Sequence, residues 1–280
     1  LIDYLPTHSL QHKYKHEIHC NEVAILPYYI ANLNIEFTYK QKMGVYEEFE
    51  NICFVDTLDN TSFEGKQMDL FAMTVENTAR IKRQNDRTIS VIIGNPPYNA
   101  NQQNENDNNK NRFYPAIDKL IQESYVKYST AQKTKVYDMY TRFIRWGTDR
   151  LGDNGILAFI TNSSFIDKAT FDGFRKVLES EFSEVYIIDL GGDVRSNPKL
   201  SGTKNNVFGI QTGVAISFMV RRDNKKNLPC KIYYIRRPEF DIAEEKLNFL
   251  VHNEFSKLSF EHISPDDKYN WINKSITCSL

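Results

Sequence analysis

Residues 88–98 have the sequence Thr-Ile-Ser-Val-Ile-Ile-Gly-Asn-Pro-Pro-Tyr. The apolar run before Gly94 predicts a buried β-strand, which the two prolines end because proline has no backbone N–H to donate to a neighbouring strand. The prolines also fix the backbone, so the carbonyl of Pro96 and the amide oxygen of Asn95 can act as two rigid acceptors. Tyr98 adds a planar apolar face. The segment predicts a site for a planar group that carries an amino group. The alternative is a Pro-Pro turn that only ends the strand.

The same residues predict a reaction. An aromatic amine has its lone pair delocalised into the ring, and accepting both of its N–H bonds at Asn95 and Pro96 favours a more tetrahedral, nucleophilic nitrogen. Such a nitrogen can attack an activated methyl group directly. Stacking on Tyr98 is a common means of holding a nucleotide that has left its duplex. This chemistry requires no metal ion, and the six histidines form no metal-binding pattern, so we predict no metal site.

The flanking sequence alternates between strand and helix patterns. Apolar runs predict strands at residues 17–22, 51–58, 88–94, 156–161 and 185–190. Helical spacing of apolar residues predicts helices at residues 23–35, 136–151 and 171–182. We interpret residues 207–220 as a final hairpin and the polar tract 99–112 as a mobile loop. Strands that alternate with helices predict an α/β fold with a mostly parallel sheet and with ligands at the carboxyl ends of its strands.

The order of these motifs resembles that of the amino methyltransferases of DNA. It is most similar to the methylase regions of the large single-chain restriction-modification enzymes that also carry helicase-like parts, over residues 17–222. The resemblance implies a Rossmann-like, S-adenosylmethionine-dependent methyltransferase fold with a terminal antiparallel strand. It also implies methyl transfer to the N6 amino group of adenine after the base has been flipped out of the duplex. Residues 1–222 would form this catalytic domain, and residues 223–280 a linker or the start of a further domain.

The resemblance also implies roles for single residues. Glu22 would accept the ribose hydroxyls of S-adenosylmethionine, Val23 would cover its adenine, and Asp56 would accept from the adenine amino group. The catalytic tetrapeptide would be Asn95, Pro96, Pro97 and Tyr98, with Phe208 stacking on the flipped base opposite Tyr98.

Each of these assignments has a plainer alternative. An acidic residue at a helix start is commonly a cap, and a phenylalanine near an apolar strand is commonly a core residue. Arg195, Lys199 and Lys204 in the loop before Phe208 are either phosphate contacts or ordinary surface charges.

One family hallmark does not appear in the expected place. The family's first strand ends in a glycine-containing loop about 20 residues before the acidic residue, by analogy with other nucleotide-binding folds. Counting back from Glu22 runs past Leu1, so we expect the first strand to lie outside this chain and the chain alone to bind the cofactor weakly or not at all. Gly191-Gly192 is no substitute, because the residues that follow have loop composition rather than helix composition.

Composition limits the other function classes. Lysine plus arginine (35) nearly balances aspartate plus glutamate (36), so any contact with double-stranded DNA must be local. The scattered cysteines and the absence of a long apolar run predict a cytoplasmic protein without disulfides or membrane spans. We expect the chain to be covalently continuous with helicase, nuclease and target-recognition regions.

Two other functions remain open at this point. A protein glutamine N5-methyltransferase also uses an Asn-Pro-Pro-Tyr segment, although the tract 99–112 and the long loop before Phe208 do not suit those compact enzymes. A catalytically inactive DNA-binding or scaffold part of a restriction complex is the other alternative.

Overall fold

The computed structural model describes most of the chain and divides it into two compact units. The described residues are 1–62, 75–97, 114–130, 134–197, 199–200, 202–223 and 228–272. The first unit is Leu1–Thr88 and the second is Ile89–Leu280. Within the described residues the strands form two sheets, one of two strands and one of six, and each sheet belongs to one unit.

The first unit is a small α/β layer. Its elements are α1 (Thr7–His16), β1 (Cys20–Glu22), α2 (Ile25–Met43), β2 (Ile52–Phe54) and α3 (Val75–Asn85). The two strands are parallel, with Glu22 paired to Phe54. The buried side chain of Asn77 on α3 donates to the carbonyl of Phe54 and accepts its N–H, both at 2.9 Å. The amide of Asn77 thus makes the two hydrogen bonds to the backbone of Phe54 that a neighbouring strand would otherwise make at this edge of β2.

The helix predicted at 23–35 is present and extends to Met43 as α2. The apolar residues whose spacing predicts it are nevertheless exposed, including Leu26, Ile30 and Leu33. The buried residues of α2 are Glu36 and Tyr39, and the ring of Tyr39 stacks on that of Tyr14 at 4.0 Å. The helical period is therefore predicted correctly, whereas the face that it buries within this unit is not.

The second unit contains the larger sheet. Its helices are α4 (Pro115–Ile121), α5 (Met139–Arg150), α6 (Ser164–Asp167), α7 (Asp172–Glu181) and α8 (Ala243–His252). Its strands are β3 (Ile89–Gly94), β4 (Leu151–Asn162), β5 (Glu184–Gly191), β6 (Val214–Arg221), β7 (Lys231–Arg236) and β8 (Glu261–Ile263). The sheet order is β3-β4-β6-β5-β7-β8, and β3, β4, β5 and β7 run in one direction while β6 and β8 run in the other.

The mostly parallel sheet is confirmed, but the interpretation of residues 207–220 as a hairpin is wrong. Only β6 is a strand in that range, and it lies between β4 and β5, antiparallel to both, rather than at an edge of the sheet. Residues 207–213 form turns instead. The side chain of Asn206 makes hydrogen bonds to the backbone of this segment, and these replace the bonds that a partner strand would have made.

The part of the chain after residue 222 is continuous with this unit. β7 pairs with β5, and β8 pairs with β7. The fully buried guanidinium of Arg175 on α7 donates to the carbonyl of Tyr269, and the indole N–H of Trp271 donates to Glu179 at 2.7 Å. The described residues beyond 222 therefore complete the sheet and cover α7, whereas the assignment of 223–280 to a linker or further domain stays a prediction.

No helix among the described residues is both long enough and apolar enough to cross a bilayer. The polar tract 99–112, which the sequence predicts to be a mobile loop, lies outside the described residues.

Candidate active site

The segment Asn-Pro-Pro follows β3 directly, as the sequence predicts. Asn95 and Pro97 are exposed and Pro96 is buried. Gly94 allows the aromatic ring of Phe159 on β4 to support this strand end, because a Cβ at position 94 would come within 2.8 Å of the ring. The two prolines fix the backbone after this strand, and the Asn95 side chain lies at the surface. Tyr98 lies outside the described residues.

The loop that carries Phe208 reaches the same edge of the sheet. β3 and β4 are parallel, and the carboxyl end of β4 at Asn162 pairs with Val214, the first residue of β6. Ser163 then donates its N–H to the carbonyl of Gly213 at 2.9 Å. Both Asn95 and the loop before Val214 are therefore placed at the carboxyl edge of the sheet, where open α/β sheets bind ligands.

Phe208 is not a core residue, which was the alternative that the sequence left open. Its side chain is 44% exposed. Its neighbours Val207 and Ile210 pack against the cluster of Ile188, Leu190 and Val214, whereas Phe208 is not part of that cluster. The loop thus partly buries Val207 and Ile210 and presents the aromatic ring of Phe208 at the surface.

The first unit places Glu22 and Asp56 at one edge of its own sheet. Glu22 ends β1 and Asp56 follows β2, and because these strands are parallel both residues lie at their carboxyl ends. The carboxylate oxygen Oε1 of Glu22 accepts the N–H groups of Val23 and Ala24, each at 2.9 Å. Asp56 Oδ1 accepts the N–H of Leu58 at 3.1 Å. Glu22 therefore holds the turn that precedes α2, whose N-cap residue is Ala24, and does not cap the first turn of the helix.

These residues suit the adenosine part of S-adenosylmethionine. Carboxylates at strand ends accept hydroxyl and amino groups of nucleotides. Val23 is 58% exposed beside Glu22, which gives an apolar surface on which an adenine ring can lie.

A separate cleft of about 570 Å³ opens at the carboxyl ends of β4, β5 and β7. Its charged lining is mainly acidic and comprises Asp167, Asp189, Asp193, Arg236, Glu239 and Glu261. Burial raises the pKa of Asp189, whose carboxylate accepts the hydroxyl of Tyr234 and the N–H of Gly191, each at 2.8 Å. An acidic cleft repels DNA phosphates, so we do not assign it to phosphate contact. Arg195, Lys199 and Lys204 are exposed on the neighbouring loops.

Comparison with known proteins identifies the family. The sequence profile of the Eco57I restriction-modification methylase matches residues 16–195. The chain belongs to this methylase family. The resemblance recognised from residues 17–222 is thereby confirmed. The comparison with curated proteins finds no match.

Solved structures of restriction-modification enzymes are similar to this methylase chain over nearly its whole length. A DrdV–DNA complex has 55% sequence identity over 97% of this chain, with a TM-score of 0.87. LlaGI, a Type ISP enzyme solved with a DNA substrate mimic, has 38% identity over 96% and a TM-score of 0.86. LlaBIII, an ATP-dependent Type ISP enzyme bound to DNA, has 36% identity over 96% and a TM-score of 0.85. This chain spans 26%, 22% and 18% of the length of those three chains.

The second unit of this methylase also contains residues that the sequence analysis missed. Asn205, Asn206 and Lys246 are buried polar residues that hold the loop of Phe208. The pair of asparagines before Phe208 was a usable signal, because asparagine bonds readily to nearby backbone groups. Lys246 gives no such signal, since its partner lies 41 residues earlier in the chain.

Proposed function

We propose that this chain is the catalytic part of a DNA methyltransferase that transfers a methyl group from S-adenosylmethionine to the N6 amino group of adenine. The observation that carries the proposal is the Asn-Pro-Pro segment at the end of β3 in a chain of the restriction-modification methylase family. Asn95 is exposed beside a buried Pro96, so an acceptor side chain lies next to a fixed backbone carbonyl.

In the proposed reaction the amide oxygen of Asn95 and the carbonyl of Pro96 accept the two N–H bonds of the adenine amino group. These hydrogen bonds orient the lone pair of the adenine amino nitrogen and favour attack by this nitrogen on the carbon of an activated methyl group. Tyr98 and Phe208 hold the flipped base between two aromatic faces, and each stacking contact contributes about 1–3 kcal/mol. Positioning of this kind contributes to catalysis because the entropy cost of bringing the reactants together is met on binding, before the chemical step.

S-adenosylmethionine supplies an electrophilic methyl group when it is bound. Glu22 would accept its ribose hydroxyls, Asp56 its adenine amino group, and Val23 would cover a face of its adenine. The carboxyl-edge positions of both acids and the exposure of Val23 support this assignment.

DNA is a better-supported substrate than a protein glutamine. Three similar structures, at 36% to 55% identity, are DNA complexes or carry a DNA substrate mimic. We therefore propose double-stranded DNA as the partner, within a parent protein that is longer than this chain and includes helicase, nuclease and target-recognition regions. We also propose that this protein acts in the cytoplasm.

The test is the Asn95→Ala variant of the full-length parent protein. Methylation is measured by the transfer of radiolabelled methyl groups from S-adenosylmethionine to duplex DNA, followed by identification of the modified nucleoside. We expect N6-methyladenine from the wild type and a loss of at least about 100-fold in rate from Asn95→Ala, since groups that act on the reacting atoms typically contribute this much. Asn34→Ala removes the same side chain from an exposed position on α2 and serves as the matched control.

The outcomes separate the alternatives. An Asn95→Ala protein that folds and methylates at near the wild-type rate would remove Asn95 from the mechanism. Methylation of a glutamine-containing peptide in place of DNA would favour the protein methyltransferase. Specific DNA binding by a wild-type parent protein without any methyl transfer would favour the scaffold alternative.

A further inference from the structure

The loop that carries Phe208 has no helix or strand among its described residues, yet its backbone is held by buried side chains. Asn206 is the central one. Its Nδ2 donates to the carbonyl of Thr212 at 2.7 Å and to that of Gly192 at 3.3 Å. Its Oδ1 accepts the N–H of Phe208 at 2.9 Å. One buried amide therefore joins both ends of the turn at whose tip Phe208 lies.

A second layer fixes Asn205 from the side of α8. The ammonium group of Lys246 on α8 donates to the carbonyl of Asn205, and the Lys246 side chain is fully buried. The Asn205 amide in turn donates to the carbonyl of Phe240 at 2.8 Å and to that of Asp241 at 3.1 Å. Asn205 is thus bonded both to α8, from which it accepts, and to the segment before α8, to which it donates.

The close approach of the loop to the end of β5 depends on Gly192. This glycine has a φ of 78°, which an L side chain rarely adopts. A Cβ at position 192 would also lie 2.8 Å from the Asn205 carbonyl oxygen, the same oxygen that accepts from Lys246. The backbone at Asn205 is therefore confined between β5 and α8.

Burying an ammonium group is costly unless it is hydrogen-bonded or paired. The acceptor given to the Lys246 ammonium is a backbone carbonyl of this loop, three residues before Phe208. A methionine or leucine would fill the same space at lower cost, so the lysine is explained better by the bond it makes to the loop than by packing.

We infer that Asn206 and Lys246 are positioning residues for Phe208, which set the place of its ring for stacking on the target base. This inference rests on the proposed function. Stacking in a defined geometry is favoured when the backbone that carries the ring is already ordered. A loop that becomes ordered only on binding has a cost in conformational entropy, and this cost reduces the free energy of the stacking interaction. Neither residue is assigned contact with the base.

The test is a double-mutant cycle in the full-length parent protein. Lys246→Met and Asn206→Ala are each made alone and in combination with Phe208→Ala. If both residues act through Phe208, each single change lowers kcat/KM for DNA methylation by about five- to tenfold, and neither lowers it by more than about twofold once Phe208 is alanine. Lys257→Met removes an exposed lysine from the neighbouring short helix Phe255–Lys257 and is the matched control for loss of charge.

A second readout follows the base directly. A duplex with 2-aminopurine in place of the target adenine gains fluorescence when that base leaves the stack, and the aromatic contact of Phe208 quenches part of this gain. We expect Lys246→Met to change the fluorescence of the bound duplex in the same direction as Phe208→Ala. Methionine has a volume similar to that of lysine, so the variant is expected to fold, which thermal unfolding checks.

The results distinguish this inference from the proposed function. A wild-type protein that makes no N6-methyladenine contradicts the proposed function and this inference with it. A methylating wild type in which Lys246→Met has no effect, or in which the losses add to that of Phe208→Ala, overturns the positioning role alone.

Discussion

The amide oxygen of Asn206 accepts the backbone N–H of Phe208 at 2.9 Å, and a single residue thereby holds the turn on which an aromatic ring is presented. A strand at this position would have given that N–H to a neighbouring strand. Because Asn206 accepts this N–H, no neighbouring strand is needed as its acceptor, and the ring of Phe208 remains 44% exposed.

This exposure predicts that Phe208→Ala has a small effect on stability and a large effect on activity. Replacing a core phenylalanine by alanine costs about 3–5 kcal/mol of unfolding free energy, whereas an exposed one costs less than about 0.5–1 kcal/mol. We expect the small value in urea unfolding, together with a loss of about five- to 100-fold in kcat/KM for methylation, from the stacking contribution of about 1–3 kcal/mol. A large loss of stability with unchanged methylation would contradict this prediction and would indicate that Phe208 is a structural residue.

Tyr98 gives a second prediction, which depends on the sequence alone. Tyr98→Ala in the parent protein should weaken both methylation and the binding of an extruded base by about 1–3 kcal/mol, because the stacking face is lost. Tyr98→Phe keeps that face and should preserve both. Equal damage from the two substitutions, measured by kcat/KM on one duplex, would mean that the hydroxyl has a role of its own.

The elements next to the candidate site were predictable because each has a local signal. The run of apolar residues up to Gly94, followed by two prolines, predicts β3 to within one residue, and α7 and β5 follow equally clear patterns. The burial predicted for β3 is wrong, because Val91 and Ile93 are exposed and only Ile92 is buried. Similar reasoning placed Asn95 at a strand end. These are features in which propensity, pattern and turn chemistry agree.

The support for Phe208 was not predictable, because it arises from contacts between distant residues. Lys246 and Asn205 are 41 residues apart, and nothing in the sequence around either one indicates the other. Likewise, the helical spacing in α2 predicts a helix but not which face is buried, since Leu26 and Leu33 are exposed. Periodicity specifies the element, whereas burial depends on what packs against it.

A prediction about acid stability follows from Asp172, the first residue of α7. Burial alone would raise the pKa of this carboxyl, but hydrogen bonds from Ser129, Thr130 and Gly173 outweigh burial and lower it below its ordinary value. Because the folded-state pKa is the lower one, the stabilisation is present above the unfolded-state pKa and is lost as the pH falls through the folded-state pKa. Asp172→Asn should therefore reduce the unfolding free energy by about 2 kcal/mol at neutral pH.

The same change should have little effect in acid, below the lowered pKa of Asp172, where the wild-type carboxyl is itself protonated. Urea unfolding of wild type and variant across this range measures the difference directly. A difference that is independent of pH would mean that the charge of Asp172 does not contribute.

The cofactor residues can be tested by a substitution at Glu22 that separates cofactor binding from the bonds that Glu22 makes to the turn after β1. Glu22 Oε1 accepts the N–H groups of Val23 and Ala24, so Glu22→Ala would also disturb the turn between β1 and α2 and confuse the two roles. Glu22→Gln keeps a carbonyl oxygen for those N–H groups but removes the charge and one acceptor that the ribose hydroxyls would use. We expect the Kd for S-adenosylmethionine in the parent protein to rise about tenfold, from the loss of about 1.5 kcal/mol in charged hydrogen bonding, with little change in stability. Isothermal titration calorimetry measures this, with the exposed Glu17→Gln as control, and an unchanged Kd for Glu22→Gln would place the ribose elsewhere.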